Sequence, residues 1–208
     1  VKETSNIYYA FYLICVTVSY LATSGYGFEL FWPGYPGNFI WIITVGWAMA
    51  GFFYILFGRA YLQTRQYVPK WNRILNIHLI GSVIAIVFII SSIIYLSSKG
   101  MIGGNNVSIN EDSSYAGIMA GIGVLLTVVW IFLAFFIVLI PAYFCWKKKF
   151  HPAKYFMFAS ISLAAGIIVG IFGGSDNIFT DNAFQFGMAF QAIFFSLGLG
   201  YRINLLQQ

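Results

Sequence analysis

The stretch TDNAFQFGMAFQAIFFSLGLGYRINLLQQ, Thr180 to Gln208, decides the class of fold. It opens polar, carries no charge from Ala183 to Tyr201, and leaves through a polar tail that starts at Arg202. An apolar run of about 20 residues, rising 1.5 Å each as a helix, crosses about 30 Å of hydrocarbon. Thr180 or Asp181 is expected to cap the first turn, where a side-chain oxygen meets unpaired N–H groups and a carboxylate suits the positive end of the helix dipole. Arg202 closes the other end, where a cation is favoured. The stretch is a membrane span, polarised from end to end, over about residues 181–201.

Working outward, five more stretches qualify: Ile7 to Ser24, Asn38 to Leu62, Ile74 to Ser97, Tyr115 to Cys145 and Pro152 to Gly173. A segment in lipid must satisfy its own backbone hydrogen bonds, so each is expected to be a helix. The predicted fold is all-α: one polytopic membrane helix bundle over residues 1–208, with six transmembrane helices. Composition agrees, because 60% of the residues are hydrophobic and 8% charged, against about 25% charged in soluble domains. Aromatics reach 20%, more than one core needs, which places many of them at helix interfaces or at the water boundary. The lipid bilayer is therefore the first expected partner.

A net charge of +5 would fit nucleic acid only if the cations gathered on one soluble face. Threaded through six spans, they do something else. Lys2, Arg59, Arg65, Lys70, Arg73, Lys147, Lys148, Lys149, Lys154 and Arg202 fall on one side of the membrane, and Lys99 on the other. By the positive-inside rule the first side is cytoplasmic, which puts both ends of the chain inside. Glu29, Glu111, Asp112, Asp176 and Asp181 fall outside, Glu3 inside. No nucleic-acid partner is expected.

Between the spans, Tyr26 to Asn38 is rich in aromatics, Gly and Pro, as a compact interfacial turn would be. Lys99 to Ser114 is polar and Gly-rich and is expected to be a mobile loop, with a sequon at Asn106 to Ser108 that carries no weight. Pro141 removes one backbone hydrogen bond near the inner end of the fourth span and is read as packing, with a hinge as the alternative. Lys147 to Lys149 at that end would lie among anionic head groups. The pairs Gly117/Gly121 and Gly166/Gly170, with Gly198, permit close helix contact, within the chain or across a homodimer seam. Cys15 and Cys145 fall in or at the end of apolar spans and read as small buried hydrophobes. No cleavable signal peptide is visible at Val1, and the missing initiator Met suggests a start within a longer protein.

Ion-coupled transporters place charged side chains deep in the bilayer, and the deep spans here hold no Asp, Glu, Lys or Arg. His78, about one turn beyond Arg73, is expected to be a neutral, hydrogen-bonded residue near the interface. His151 lies too shallow to pair with it across the membrane as a haem clamp. There is no HExxH, no clustered His and Asp set and no phosphate loop. No Ser has a base with an acidic neighbour in sequence, and no span carries a Lys for retinal. The chain reads as non-catalytic, with no cofactor and no metal. What remains is polar but uncharged. Gln185 and Gln191 stand about 120° apart around the last helix. Gly187, Gln191, Phe194, Gly198 and Arg202 share one broad stripe. Candidate helix-coupling or ligand contacts are therefore Gln185, Gln191, Gly198, Arg202 and His78.

Several stretches, in order, resemble one family. They are Gly27-Phe28-Glu29-Leu30-Phe31-Trp32-Pro33, Phe57-Gly58-Arg59-Ala60-Tyr61-Leu62 with Tyr67-Val68-Pro69, His151-Pro152-Ala153-Lys154-Tyr155-Phe156, and Ser196-Leu197-Gly198-Leu199-Gly200-Tyr201-Arg202-Ile203-Asn204. Together they are similar to the bacterial seven-transmembrane receptors with diverse intracellular signalling modules. Gln191 stands where that family is expected to carry an acid and Tyr201 where Asp is usual, so a mechanism built on those charges does not carry over.

The resemblance implies a chain lacking the family's first span, with seven spans in the parent, a periplasmic sensory domain before it and a cytoplasmic output domain after it. It implies the bacterial inner membrane. The expected function is a membrane-embedded signal-transducing module that couples a periplasmic event to a cytoplasmic output through the last helix. Two other classes stay open. One is a structural or accessory subunit of a membrane assembly, and the other a transporter of an uncharged solute, for which no broken span or internal repeat is visible.

Overall fold

The computed structural model describes residues 4–30, 39–98, 111–173, 179 and 182–207. Helix α1 spans Thr4–Thr23, α2 Tyr26–Leu30, α3 Phe39–Leu62, α4 Thr64–Tyr67, α5 Pro69–Ser98, α6 Glu111–Lys147, α7 Pro152–Phe172 and α8 Ala183–Gln207. There is no strand among the described residues. Among the described residues, five helices are long and apolar enough to cross a membrane, and α6 adds an apolar stretch over Phe132–Lys147. The chain is an all-α, multi-pass membrane bundle. The cap expected at Thr180 or Asp181, the sequon and the Phe31-Trp32-Pro33 turn lie outside the described residues.

Some helix limits depart from the apolar runs, for local reasons. Helix α5 starts at Pro69, whose fixed φ suits a first helical position and whose missing N–H costs nothing there. It thereby carries Lys70 and Arg73 on a helix rather than a loop. Residues 111–114, expected in the loop, are the first turn of α6. That helix runs through Pro141 and, at 37 residues, is about 55 Å long, more than a bilayer's hydrocarbon.

The chain divides into two compact units, Val1–Phe57 with Arg73–Phe135, and Gly58–Asn72 with Phe136–Gln208. In the first unit, α1 buries Ser5, Tyr9, Tyr12, Val16, Ser19 and Ala22, a stripe at the three- and four-residue spacing of one helix face. Tyr9 packs on Phe57 at 5.1 Å and Tyr12 on Tyr54 at 5.7 Å. Farther along, Gly46 gives its missing side chain's place to Ser19. Partners rise along α1 as they fall along α3, so the two helices are antiparallel. Tyr54 continues the aromatic layer to Phe135 of α6 at 5.8 Å.

In the second unit, α7 and α8 meet at two glycines. A Cβ on Gly166 would stand 2.6 Å from the carbonyl oxygen of Ala183 and 2.9 Å from the Cα of Gly187. One on Gly187 would stand 3.0 Å from the Cα of Gly166. Backbone faces backbone there, which is how small residues bind helices in lipid. Phe156 packs on Phe195 at 5.1 Å and Phe158 on Phe194 at 6.0 Å. The seam is thus Gly166 with Gly187; a Cβ on Gly170 or on Gly121 would meet nothing within 4 Å.

Outward faces are apolar. On α5, Ile77, Ile80, Ile84, Val87 and Ile94 are exposed, again at helical spacing. In water such a face would be a liability, but in a bilayer it is the surface that meets acyl chains.

Candidate functional site

At one end of the second unit the chain turns sharply, and its backbone needs partners. Helix α3 ends at Leu62, and the last carbonyls of a helix find no donor inside it. Gln63 adopts the left-handed region, φ 49°, so the chain reverses at once and leaves those carbonyls pointing out of the helix end. Two side chains from other helices reach them. Arg202 of α8 donates from Nη1 to the carbonyls of Ala60 at 3.2 Å and Tyr61 at 3.3 Å. Cys145 of α6 directs its thiol to the carbonyl of Leu62 at 3.7 Å. A guanidinium at a helix C-terminus is also favoured by the dipole, which makes α8 the electrostatic cap of α3.

Tyr61 ties the same end to α7. Its hydroxyl donates to the carbonyl of Pro152 at 3.0 Å, and its ring packs on Phe156 at 5.8 Å. The Arg202 guanidinium carbon lies 5.8 Å from the centre of the Tyr61 ring. Gly198, one turn before Arg202, faces the Tyr61 hydroxyl so closely that a Cβ there would overlap it, and would stand 2.9 Å from the Cβ of Tyr155. Gly198 and Arg202 therefore straddle Tyr61, one by absence of a side chain and the other by a long polar one.

The turn itself is braced. Asn72 Oδ1 accepts from Thr64 Oγ1 at 2.9 Å and from Arg59 Nε at 3.2 Å. Lys148 Nζ donates to the carbonyl of Tyr67, and the rings of Tyr67 and Phe150 lie 4.8 Å apart. Gly58 makes room for α6 and α7, since a Cβ there would stand 2.5 Å from Val138 Cγ1 and 3.2 Å from Phe156. These contacts gather Arg59, Arg65, Lys70, Lys147 to Lys149, Lys154 and Arg202 at one end of the unit, because the segments that carry them are the ones joined.

Of the residues singled out from sequence, Gly198 and Arg202 come together on Tyr61. Gln191 is buried on the same face of α8, 2% exposed, and Gln185 is half-buried. That face is Ala183, Gly187, Gln191, Phe195, Gly198 and Arg202; four members of the stripe read from sequence lie on it, and Phe194, the fifth, is half-buried beside the fully buried Phe195. His78 belongs to the other unit. It is 6% exposed, and its ring stacks on Trp130 at 4.2 Å and 13°. Ser82 Oγ donates to the His78 carbonyl at 2.9 Å and accepts from Trp130 Nε1 at 2.8 Å. A Cβ on Gly81 would stand 2.7 Å from the indole, so Trp130 sits in a notch cut for it in α5. Among the described residues, no three of His, Cys, Asp and Glu gather as metal ligands would.

Sequence reasoning missed Tyr61 and Asn72 as organising residues. The signal was present in Phe57-Gly58-Arg59-Ala60-Tyr61-Leu62: a helix end that carries a glycine, a cation and a phenol where a plain span would close in aliphatics.

A family model described as 7TM diverse intracellular signalling matches residues 1–202. No curated protein and no solved structure matches the chain. The matched region takes in the Arg59-Tyr61 helix end and the Gly198-Arg202 pair that clasps it. The chain therefore belongs to the 7TM diverse intracellular signalling family, a family of membrane signalling receptors.

Proposed function

We propose that this domain couples a periplasmic event to a cytoplasmic output through α8, as the membrane-embedded transducer of a bacterial inner-membrane sensor. The observation that carries the reading is the Arg202 clasp. The end of α8 is bonded to the end of α3, and the end of α3 is bonded to the start of α7. A displacement of α8 along or about its axis cannot leave those bonds intact, so the exit of the domain has two distinguishable arrangements, engaged and released. Such bistable packing is what a conformational signal needs.

The side is assigned by charge. The end that holds the clasp also holds most of the basic residues, and the positive-inside rule makes it cytoplasmic. The membrane domain works without catalysis, cofactor or metal, its message carried by position instead of ionisation, since Gln191 and Tyr201 stand where charges were expected. A sensory domain outside and an output domain inside are its expected partners in the parent chain.

The test inserts one to four residues after Asn204 in the parent protein and measures output. Each added helical residue turns the downstream segment by about 100°, so output is expected to vary with phase around the helix and to recover partly near one full turn. An output that falls smoothly with insert length, without phase, sinks the reading.

A further inference from the structure

We propose that one face of α6 is a binding site for a single membrane phospholipid with an anionic headgroup. The face is Phe136, Ile140, Tyr143 and Lys147, at spacings of four, three and four. At 100° per residue these lie within about 60° of one another, so they form one straight strip. Phe136 is 58% exposed, Ile140 39% and Tyr143 39%, and Lys147 is exposed too. The strip is apolar, then aromatic with a phenol, then cationic. That is the order in which a phospholipid presents acyl chain, glycerol ester and phosphate.

Length agrees. From Phe136 to Lys147 is about 16 Å of helix, close to half of the roughly 30 Å hydrocarbon thickness, so one leaflet's acyl chain fits along it. The lysines at this end differ in what they do. Lys148 turns to the carbonyl of Tyr67. Lys147 instead lies back along its own helix, Nζ 4.8 Å from the centre of the Tyr143 ring. A lysine at a span's end ordinarily extends toward water; this one holds its charge at the depth of the phenol, where an ester or phosphate oxygen would be. Trp146, 47% exposed, stands beside it as an interfacial anchor. A cation in this position selects an anion, and in a bilayer the anion at hand is a lipid phosphate whose headgroup adds no compensating positive charge.

The experiment is native mass spectrometry of the full chain in detergent micelles with added dioleoyl phosphatidylglycerol, dioleoyl phosphatidylcholine or inorganic phosphate. Phosphatidylglycerol adducts are expected to be retained over phosphatidylcholine. Lys147→Gln should lower phosphatidylglycerol retention about fivefold, the factor equivalent to about 1 kcal/mol per cation near an anionic surface. Lys147→Arg should keep it, and Lys149→Gln, off the strip, should leave it near the parent value. Equal retention of the two lipids overturns the proposal. So does an equal loss in Lys147→Gln and Lys149→Gln, which would mean a diffuse basic belt, and so does displacement of the adduct by inorganic phosphate, which would mean a simple anion site. A dimer sealed through α6 that takes up no lipid would overturn it as well.

Discussion

Arg202 and Tyr61 meet twice. The guanidinium Nη1 donates to the Tyr61 carbonyl at 3.3 Å, and the guanidinium carbon lies 5.8 Å from the centre of the Tyr61 ring. The same residue thus offers Arg202 a helix-end carbonyl and an aromatic face, while its hydroxyl holds α7 through Pro152. Axial position and rotation of α8 are both specified at this one partner.

Replacing Arg202 by Gln should destabilise the domain by about 1–3 kcal/mol, the range for removing a charged donor from buried acceptors. Lys should recover part of this through the dipole, since it brings charge without the planar fork. Reversible unfolding in mixed micelles measures the loss. A variant as stable as the parent would show that the cap contributes nothing.

Tyr61→Phe removes one hydroxyl and leaves the ring. The expected cost is about 1 kcal/mol, for the lost bond and the Pro152 carbonyl left without it. In the parent receptor the same change should alter basal output, because Tyr61 ties the end of α3 to both α7 and α8. Unchanged stability with unchanged output would remove Tyr61 from the coupling path.

Gly166→Ala and Gly170→Ala should differ although the residues are one turn apart. At Gly166 the new Cβ meets backbone at 2.6 and 2.9 Å, which cannot swing aside, so α7 and α8 must part at about 1–3 kcal/mol. At Gly170 nothing lies within 4 Å, and Ala should be neutral or stabilising by up to about 1 kcal/mol through helix propensity. Thermal stability of the two purified variants decides; equal effects would refute the seam.

Ser82→Ala should lower stability by about 0.5–2 kcal/mol, as loss of an interhelical hydrogen bond in a membrane does, because the Trp130 indole loses its acceptor at 2.8 Å. Gly81→Ala should cost more, since it fills the notch that the indole occupies. Tryptophan fluorescence during unfolding reports on both. If Ser82→Ala leaves the unfolding midpoint in place, the hydroxyl is not the indole's partner in the membrane.

Hydrophobic length was the most legible signal in the sequence. An apolar run of about 20 residues has one economical conformation in lipid, so Ala183 to Tyr201 could be read as a span without knowing any neighbour. Helix limits were less legible where polar residues extend a span, as at Pro69 and Glu111, because the helix there is continued by backbone geometry after the apolar signal has ended.

The candidate site was half legible. Gly198 and Arg202 stood out in sequence as a small residue and a cation closing a span, and Gln191 as an amide within it. Their partners did not. Which carbonyl an arginine caps depends on which helix end lies beside it, and Ala60 and Tyr61 lie 142 and 141 positions away in the chain. By itself the sequence determined an all-α membrane chain and its family motifs, since these depend on local composition and on the energetics of lipid. Only the tertiary structure decided that Gly166 faces Gly187, that Phe195 rather than Phe194 is the deep ring, and that Tyr61 ties the end of α3 to both α7 and α8. Those outcomes depend on backbone approach to within a few ångströms and on open helix ends finding donors, and neither is written in the order of residues along one span.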